Sequence, residues 1–522
     1  MSKSRKYHMT VLLLVVLSAG VLVYALRNDK ITIAKWHSID RLPRINPDYC
    51  GTVLPPNIAP LNFLVQENGS NYCVKISSKQ GHTIEIFSRS PKIVIPQKPW
   101  HKLLNANKAE QLSFDVFVKT PNGPWNRFAP IINKIARENI DGHLIYRNIR
   151  PVYSTGETSI HQRNLQNYDD TPILSSKHVR GACINCHTFC GNRTDKMFLG
   201  VRSRTKSSST ILVQDDEVRK VATKFGYTSW HPSGQLALYS INKVQQFFHL
   251  ARNEVRDVVD LDSALFYYNV ASNTVRTSPK FSKKDQLENF PAWSPDGRYL
   301  YFCSAPMLWS DRDKVPPENY EKVKYDLLRI SYDLESDQWG ELETILSAQD
   351  TGLSILQPRI SPDGRWLLFC MCEYSCWASY HADSDLYLID LKAAQKTGRY
   401  EYRRLDINSD QSESWHSFSS NSRWIAFSSK KGNGLFTRTY LAYLDEEGKF
   451  YKAFLLPQKD PTFYDSCLWT HGVPELVVEP VRVTKEKLGR VVRSPRKISV
   501  DMPITMATPG VGAPPEPWQE RE

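Results

Sequence analysis

Four short segments of the 522-residue chain align without gaps, and this repeat constrains the fold more than any other feature. Each segment joins a turn rich in Pro, Ser, Asp and Gly to an alternating apolar run. The equivalent turn residues are Gly234, Gly297, Gly364 and Ser422, which recur at similar intervals along the chain. This spacing is typical of a β-propeller, in which each repeat forms one four-stranded blade. The segments are TSWHPSGQLALYS (228–240), PAWSPDGRYLYFCS (291–304), PRISPDGRWLLFC (358–370) and HSFSSNSRWIAFSS (416–429).

A second alternating run follows each repeat and can supply another strand of the same blade. A fifth, degenerate copy of the repeat covers 467–480. We therefore predict a β-propeller over 197–485, with five or six blades and six preferred. Strands within 198–214 are expected to pair with the last blade and close the ring. The second runs are SALFYYNV (263–270), YDLLRISY (325–332), SDLYLIDL (384–391) and RTYLAYLD (438–445).

The rest of the chain divides by pattern, and the predicted fold class is all-β. Short period-2 runs separated by Pro, Gly and Asn predict a small β-sandwich-like domain over 58–150, with a single short helix at 128–139. A linker is expected at 27–57, and a polar, irregular loop at 151–196. The end of the chain, 486–522, is expected to be a basic and then Pro-rich disordered tail.

The predicted loop contains the sequence RGACINCHTF, in which Cys183, Cys186 and His187 form a C-x-x-C-H motif. Random order of this composition would give about 0.005 copies of it. The motif is that of covalent haem attachment: the two cysteines form thioethers with the porphyrin and the histidine is the proximal iron ligand. We therefore predict one haem c, held by these three residues.

Two other chemistries use a C-x-x-C pair. A structural zinc site needs a second pair of ligands, for which the candidates are Cys370, Cys372, Cys376 and His381. A redox dithiol needs the motif at a helix N-terminus in a βαβ unit, and no such pattern surrounds residue 183. The sequence favours haem over both.

The sixth iron ligand is not determined by the sequence. Met197 lies shortly after His187 and is a candidate thioether ligand; the alternative is a core residue of a blade. The histidine candidates are His161, His178, His231 and His249, although His231 is better explained as a structural residue. Among the other cysteines, Cys50 and Cys73 are candidates for a disulfide, whereas Cys190, Cys303 and Cys467 are expected to be buried thiols.

The N-terminus predicts export. Basic residues precede an uncharged run at 9–26, whose length is near the lower limit for crossing a bilayer. An uncleaved anchor is favoured over a cleavable signal, with the N-terminus in the cytoplasm and the bulk of the chain outside it. The net charge of +12 is compatible with a solvated surface or with an anionic membrane or partner. No nucleic-acid motif occurs, so nucleic acid is set aside.

Four stretches of the chain carry a resemblance to a known family. The sequence resembles bacterial periplasmic proteins that join a C-x-x-C-H segment to TolB-like (PD40 repeat) β-propellers. The resemblance covers most of 50–480 and implies a six-bladed propeller behind a small β domain, with Cys183, Cys186 and His187 as the haem site, at the periplasmic side of the inner membrane. The stretches are DGHLIYRNIRPVY (141–153), SIHQRNLQNYDDTPIL (159–174), GACINCHTFCGNRTDKMF (181–198) and SWHPSGQLALYSINKVQQFFH (229–249).

Three functions are compatible with these features. The first is electron transfer between the haem and an exported protein partner. The second is a propeller that binds or assembles other proteins, such as a factor in cytochrome or respiratory-complex biogenesis, in which the haem is structural or sensory. The third, an enzyme, is the least favoured, because no G-x-S-x-G nucleophile motif occurs and no α/β region follows the blades.

Overall fold

The computed structural model describes residues 33–121, 123–150, 157–202, 208–250 and 254–501. The predicted anchor at 9–26 and the Pro-rich end of the predicted tail lie outside the described residues. Among the residues that are described, no helix is long and apolar enough to span a membrane.

Residues 36–135 form two sheets and one helix, Gln97–Ala106. In the larger sheet, the order is β1-β9-β8-β10-β3; β5 also pairs with β8, and β6 pairs with β5. The smaller sheet has the order β2-β4-β7. Both sheets and the helix share one hydrophobic core. The strands are β1 (Trp36–Ile39), β2 (Ile45–Asn46), β3 (Val53–Leu54), β4 (Phe63–Val65), β5 (Asn71–Ser77), β6 (Ile84–Ser88), β7 (Lys92–Ile93), β8 (Gln111–Lys119), β9 (Trp125–Phe128) and β10 (Ile131–Ile135).

The helix predicted at 128–139 is not formed, and the prediction was wrong. These residues end β9 and form β10, where Ile131, Asn133 and Ile135 are buried and the residues between them are exposed. That alternation has the period of a strand, not of a helix. The observed helix lies earlier in the chain and buries Trp100, Leu103 and Leu104.

Six four-stranded antiparallel sheets make up most of the remaining chain. We number the sheets as blades 1 to 6. From blade 2 to blade 6, the innermost strand of each blade contacts the innermost strand of the next, and that of blade 6 contacts the innermost strand of blade 1. Blade 1 contacts blade 2 through its two outer strands. This is the architecture of a β-propeller. Blade 1 contains β11 (His143–Ile149), β12 (Ser159–Asn164), β13 (Asp170–Ser175) and β34 (Thr470–Val477); blade 2 contains β14 (Cys183–Cys190), β15 (Arg193–Arg202), β16 (Ser209–Gln214) and β17 (Glu217–Val221); blade 3 contains β18 (Thr228–Trp230), β19 (Leu236–Phe248), β20 (Arg256–Asn269) and β21 (Thr274–Arg276).

The remaining three blades come from consecutive stretches of chain. Blade 4 contains β22 (Gln286–Trp293), β23 (Tyr299–Pro306), β24 (Asp326–Asp333) and β25 (Gln338–Leu346); blade 5 contains β26 (Ser354–Ile360), β27 (Trp366–Cys372), β28 (Asp385–Asp390) and β29 (Tyr402–Arg404); blade 6 contains β30 (Glu413–Phe418), β31 (Trp424–Ser429), β32 (Arg438–Tyr443) and β33 (Phe454–Leu455). Short helices at Ala348–Thr351, Leu391–Thr397 and Phe463–Ser466 lie between strands.

The repeated turn forms as its residues predict. Gly234, Gly297 and Gly364 have φ of 66°, 73° and 74°, and Ser422 has 60° at the same position. These are left-handed conformations that glycine adopts at little cost. Ahead of three of the turns, a serine hydroxyl accepts a hydrogen bond from the backbone N–H of the first residue of the following strand, at 3.0 Å in the case of Ser294. Each turn is therefore tied to the start of the next strand.

The ring is closed by the pairing of β34 with β11, which come from opposite ends of the propeller sequence. The expectation that strands within 198–214 close the ring was wrong: β15 and β16 pair with each other inside blade 2. The predicted loop at 151–196 was also wrong, because it contains β12, β13 and β14. Partners so distant in sequence leave no local signal of their pairing.

The predicted disordered tail begins with ordered structure. A helix at Lys485–Arg493 starts with the Thr484 side chain accepting a hydrogen bond from the N–H of Lys487. Its far end is fixed by Lys220, whose ammonium group donates to the carbonyls of Val492 and Ser494 at 2.9 and 3.1 Å. A lysine at the C-terminal end of a helix stabilises the unpaired carbonyls there.

Truncating a buried residue of the closing strand should destabilise the protein. Leu476 on β34 is 1% exposed and pairs with Leu144 of β11. We expect Leu476→Ala to lower the free energy of unfolding by about 2–5 kcal/mol. Its near neighbour Val478 is 47% exposed, so Val478→Ala should change stability by no more than about 0.5 kcal/mol. Urea unfolding measures both, and equal effects would show that the closing strand is not packed as described.

Candidate functional site

The C-x-x-C-H motif lies on β14, the innermost strand of blade 2. On β14, Ile184 pairs with Val201 of β15 and the next paired residue is His187, which pairs with Leu199. Two residues of β14, 185 and 186, therefore lie opposite the single residue Gly200. Cys186 therefore lies in a β-bulge opposite Gly200. A Cβ on Gly200 would lie 3.4 Å from the Cβ of Cys186, so glycine leaves room for the bulge.

The bulge places Cys183 and Cys186 on the same face of β14. On a regular strand, side chains three residues apart project to opposite faces, and the extra residue corrects this. Both thiols lie near Lys224, which is in the loop before β18. The Arg202 guanidinium and burial lower the pKa of Lys224 to about 7, and the two thiols oppose that shift. His187 projects the other way, toward blade 1.

A bulge of the same kind recurs on the innermost strands of four other blades. In each of these bulges, two residues lie opposite one residue of the partner strand. The first of the two has a positive φ, of 51° at Phe290, 57° at Gln357, 46° at Trp415 and 52° at Val473. This conformation costs a non-glycine residue about 1–3 kcal/mol. The five bulges line one cavity, and the motif occupies the bulge position of blade 2.

That central cavity has a volume of about 1140 Å³, including the part open to solvent. All six blades contribute to its wall. Aromatic side chains cover much of it, and the polar groups converge on it from several strands. The aromatic residues are Phe198, Phe225, Tyr227, Phe290, Trp377 and Trp415, and the polar and charged ones include Arg147, Cys186, His187, Arg202, Asn242, Gln357, Arg359, His416 and Glu475.

His187 is buried in this wall; within the described part of the chain its ring nitrogens make no well-aligned hydrogen bond, although backbone groups of Val473 and Ile145 lie close to the ring. Burial, and next the charge of Arg147, lower its pKa to about 3; the backbone groups of Val473 and Ile145 oppose the shift without reversing it. The ring is therefore neutral, which is the form that ligates a metal. A buried polar group left unpaired costs about 1–3 kcal/mol, and a ligand at His187 would relieve that cost.

The motif supplies the residue types that a covalently bound haem c would use. Cys183 and Cys186 lie on one face of β14, and the neutral, buried His187 directly follows Cys186. The thiols lie toward blade 3 and the imidazole toward blade 1. Cys186 and His187 line the central cavity, whereas Cys183 is buried behind it. The aromatic wall provides the apolar surroundings that such a group requires.

Met197, the proposed distal ligand, does not reach the central cavity. It is on β15, is 0% exposed and packs in the core with Phe189, Leu199 and Val213. In this structure it is a core residue of a blade, the alternative that the sequence left open. Alternation along β15 turns its side chain into the interface with blade 1 rather than toward the axis.

The four candidate histidines also lie away from the residues that line the cavity. His161 contacts Asp170 at 2.6 Å, and the Nδ1 atom of His178 lies 2.7 Å from the hydroxyl of its near neighbour Ser175. The Nε2 atom of His231 donates to the Gly297 carbonyl at 3.1 Å, which fits the structural role expected for it. His249 directly follows β19.

Sequence reasoning missed the other polar groups of the cavity. His416 lines it, and its Nε2 atom donates to the Leu368 carbonyl at 3.0 Å. Burial raises the pKa of Glu475 to about 7, against the charge of Arg359. His416 lies in the bulge of blade 6, and Glu475 directly follows the bulge of blade 1. Their place on the inner strand of a blade was the one signal that could have indicated them.

The other cysteines are all free thiols, so the disulfide between Cys50 and Cys73 is not formed. Cys73 is buried and packs beside Phe117 and Trp125, whereas Cys50 is partly exposed. Cys190 donates to the carbonyl of His231 at 3.7 Å. Among the described residues, no group of three or more His, Cys, Asp or Glu side chains is arranged to hold a metal ion.

No family model and no curated protein matches the sequence. Several solved structures have a similar course of the backbone. TolB from Acinetobacter baumannii is 13% identical, with a TM-score of 0.40, over 77% of this chain and 82% of that one. Hydrazine synthase of Kuenenia stuttgartiensis is 13% identical, with a TM-score of 0.31, over 57% and 76%. These values carry no argument about function, and the architecture rests on the strand topology.

Met197 provides a test of the cavity boundaries. Because Met197 is a core residue, Met197→Leu keeps its volume and should change stability by less than about 1.5 kcal/mol, with an unchanged absorption spectrum of any bound haem. Met197→Ala should cost about 2–5 kcal/mol. Denaturant unfolding and visible absorption check both expectations. A spectral change in Met197→Leu without loss of stability would instead identify a ligand.

Proposed function

We propose that this protein is an exported c-type cytochrome, with one haem c attached to Cys183 and Cys186 inside a six-bladed β-propeller. A small β domain precedes the propeller. The observation that carries the proposal is the neutral, buried His187 in the wall of the central cavity, next to two cysteines that a bulge places on one face. The motif itself is too rare to be an accident of composition.

Each residue of the site would have a distinct task. Cys183 and Cys186 would hold the group covalently, and His187 would be its proximal ligand. The neutral imidazole needs no proton removed before it ligates. The aromatic side chains around the axis would exclude water and keep the local dielectric low. Bound haem supplies one-electron oxidation and reduction, and the protein supplies ligation, orientation and surroundings.

We further propose electron exchange with an exported protein partner. The uncharged run at 9–26 would anchor the chain in the bacterial inner membrane, with the propeller on the periplasmic side. The alternative function, a propeller that binds or assembles other proteins, predicts a haem that soluble donors and acceptors do not reduce or oxidise. A redox titration combined with partner capture separates the two proposals.

Covalent haem should depend on the two motif cysteines and on no others. The full chain is produced with export and haem-attachment machinery, and haem is detected by haem-stained gel and intact mass. We expect one haem per chain in the wild type, a large loss in Cys183→Ser and in Cys186→Ser, and none in the double variant. Cys190→Ser, on the same strand, is the matched control and should retain the wild-type amount.

His187→Gln adds a second readout, because it removes the proposed iron ligand and should shift the absorption bands of whatever haem remains attached. A wild-type chain that carries no porphyrin, or that loses as much haem in Cys190→Ser as in Cys186→Ser, would refute the proposed function.

A further inference from the structure

The central cavity and its immediate surroundings carry more cationic than anionic groups. Arg202 and Arg359 line it, and Lys224 lies beside Arg202 in the loop before β18. On the acidic side, Glu475 lines the cavity and Asp260 lies near Lys224. Burial raises the pKa of Glu475 to about 7 and that of Asp260 to about 6. Glu475 is therefore only partly ionised near neutral pH, whereas Asp260 is mostly ionised.

Asp260 is also already engaged by neutral partners. Its Oδ2 atom accepts hydrogen bonds from the side-chain amides of Asn242 and Asn289, at 2.6 and 2.8 Å. Its Oδ1 atom has no hydrogen-bond partner among the described residues. Asp260 acts on Lys224 through its charge, but the two side chains form no ion pair.

The side chains of Lys224 and Arg359 form no hydrogen bond or ion pair with any residue of the described ranges. Both are half-buried. The largest influence on the pKa of Lys224 is repulsion by Arg202, which together with burial lowers it to about 7. Unpaired cations held in a partly enclosed cavity are costly unless an anion pairs with them. The arrangement therefore calls for an anionic ligand.

The shape of the wall limits what that ligand can be. The same cavity wall carries the rings of Tyr227 and Phe290, 4.2 Å apart, and those of Trp377 and Trp415, 5.5 Å apart. A large apolar ligand with acidic groups at its edge matches this combination of aromatic surface and separated cations.

We infer that Arg202, Lys224 and Arg359 bind the carboxylates of a large apolar dicarboxylic ligand in the central cavity. The inference rests on the proposed function, in which that ligand is the haem and the carboxylates are its two propionates. Arginine pairs with a carboxylate through two parallel hydrogen bonds, and lysine acts as a point charge.

The test compares Arg202→Gln, Lys224→Gln and Arg359→Gln in the full exported holo-protein. Covalent haem should stay at the wild-type amount, because the thiols and His187 are unchanged. Loss of a cation near the propionates favours oxidised iron. We expect the ratio of oxidised to reduced protein at a fixed potential to rise about tenfold, which is a fall of about 59 mV in midpoint potential for one electron.

Two further variants keep this test specific. Arg276→Gln removes an exposed cation of blade 3 that pairs with Asp337 and should leave the midpoint potential at the wild-type value. Arg359→Lys keeps the charge and should restore most of the potential that Arg359→Gln loses. Three glutamine variants with attached haem and unchanged potential would overturn the inference and leave the proposed function in place.

If the wild-type chain carries no haem, the proposed function fails and the site is tested by itself. Protoporphyrin IX, which has two carboxylates, is titrated into the wild-type chain and the same variants, with quenching of tryptophan fluorescence as the signal. A Kd at least tenfold weaker in the glutamine variants supports the carboxylate site. Equal binding by all the chains overturns it.

Discussion

The pairing of β34 with β11 is the interaction on which the rest of the structure depends. It joins residues 470–477 to 143–149 and converts a row of sheets into a closed ring. Closure brings Arg147, Val473 and Glu475 into the cavity wall beside His187. Without it, His187 would face solvent and would remain hydrogen-bonded to water. The burial that makes its imidazole neutral is therefore a consequence of a contact between the two ends of the propeller.

A second constraint is the bulge that recurs on five innermost strands. A regular strand would direct alternate side chains into the gaps between blades, where they would pack against the neighbouring sheet. The extra residue turns a stretch of each strand toward the axis, at the cost of a left-handed conformation at positions such as Phe290 and Trp415. The fold thereby accepts local strain and gains a wall of residues around one cavity. Strain of this kind tends to concentrate at functional sites.

The repeat allowed much of the fold to be predicted. The positive φ of Gly297 and Gly364 follows from the Asp-Gly turns, and the strands after them follow from alternation. The first blade could not be predicted, because its inner strand comes from the far end of the propeller sequence and local patterns carry no record of that pairing. The helix expected at 128–139 was wrong because three isoleucines suit a strand as well as a helix, and the period decides between them.

For the candidate site, the motif indicated Cys183, Cys186 and His187. In the structure, Cys186 and His187 line the central cavity, and Cys183 lies on the same face of β14 as Cys186. The motif could not indicate the cations, since Arg202, Lys224 and Arg359 come from three separate stretches of chain. Met197 shows the opposite problem: proximity in sequence suggested a ligand, whereas strand alternation places its side chain in a core. Distance along a chain is a poor guide to the geometry around a ring axis.

The proposed function depends on iron being bound at the centre of the propeller. Anomalous diffraction at the iron absorption edge, from crystals of the exported full-length protein, measures this directly. We predict a single iron peak inside the central cavity, at bonding distance from a ring nitrogen of His187. A cavity without iron, or an iron atom bound elsewhere on the chain, would contradict it.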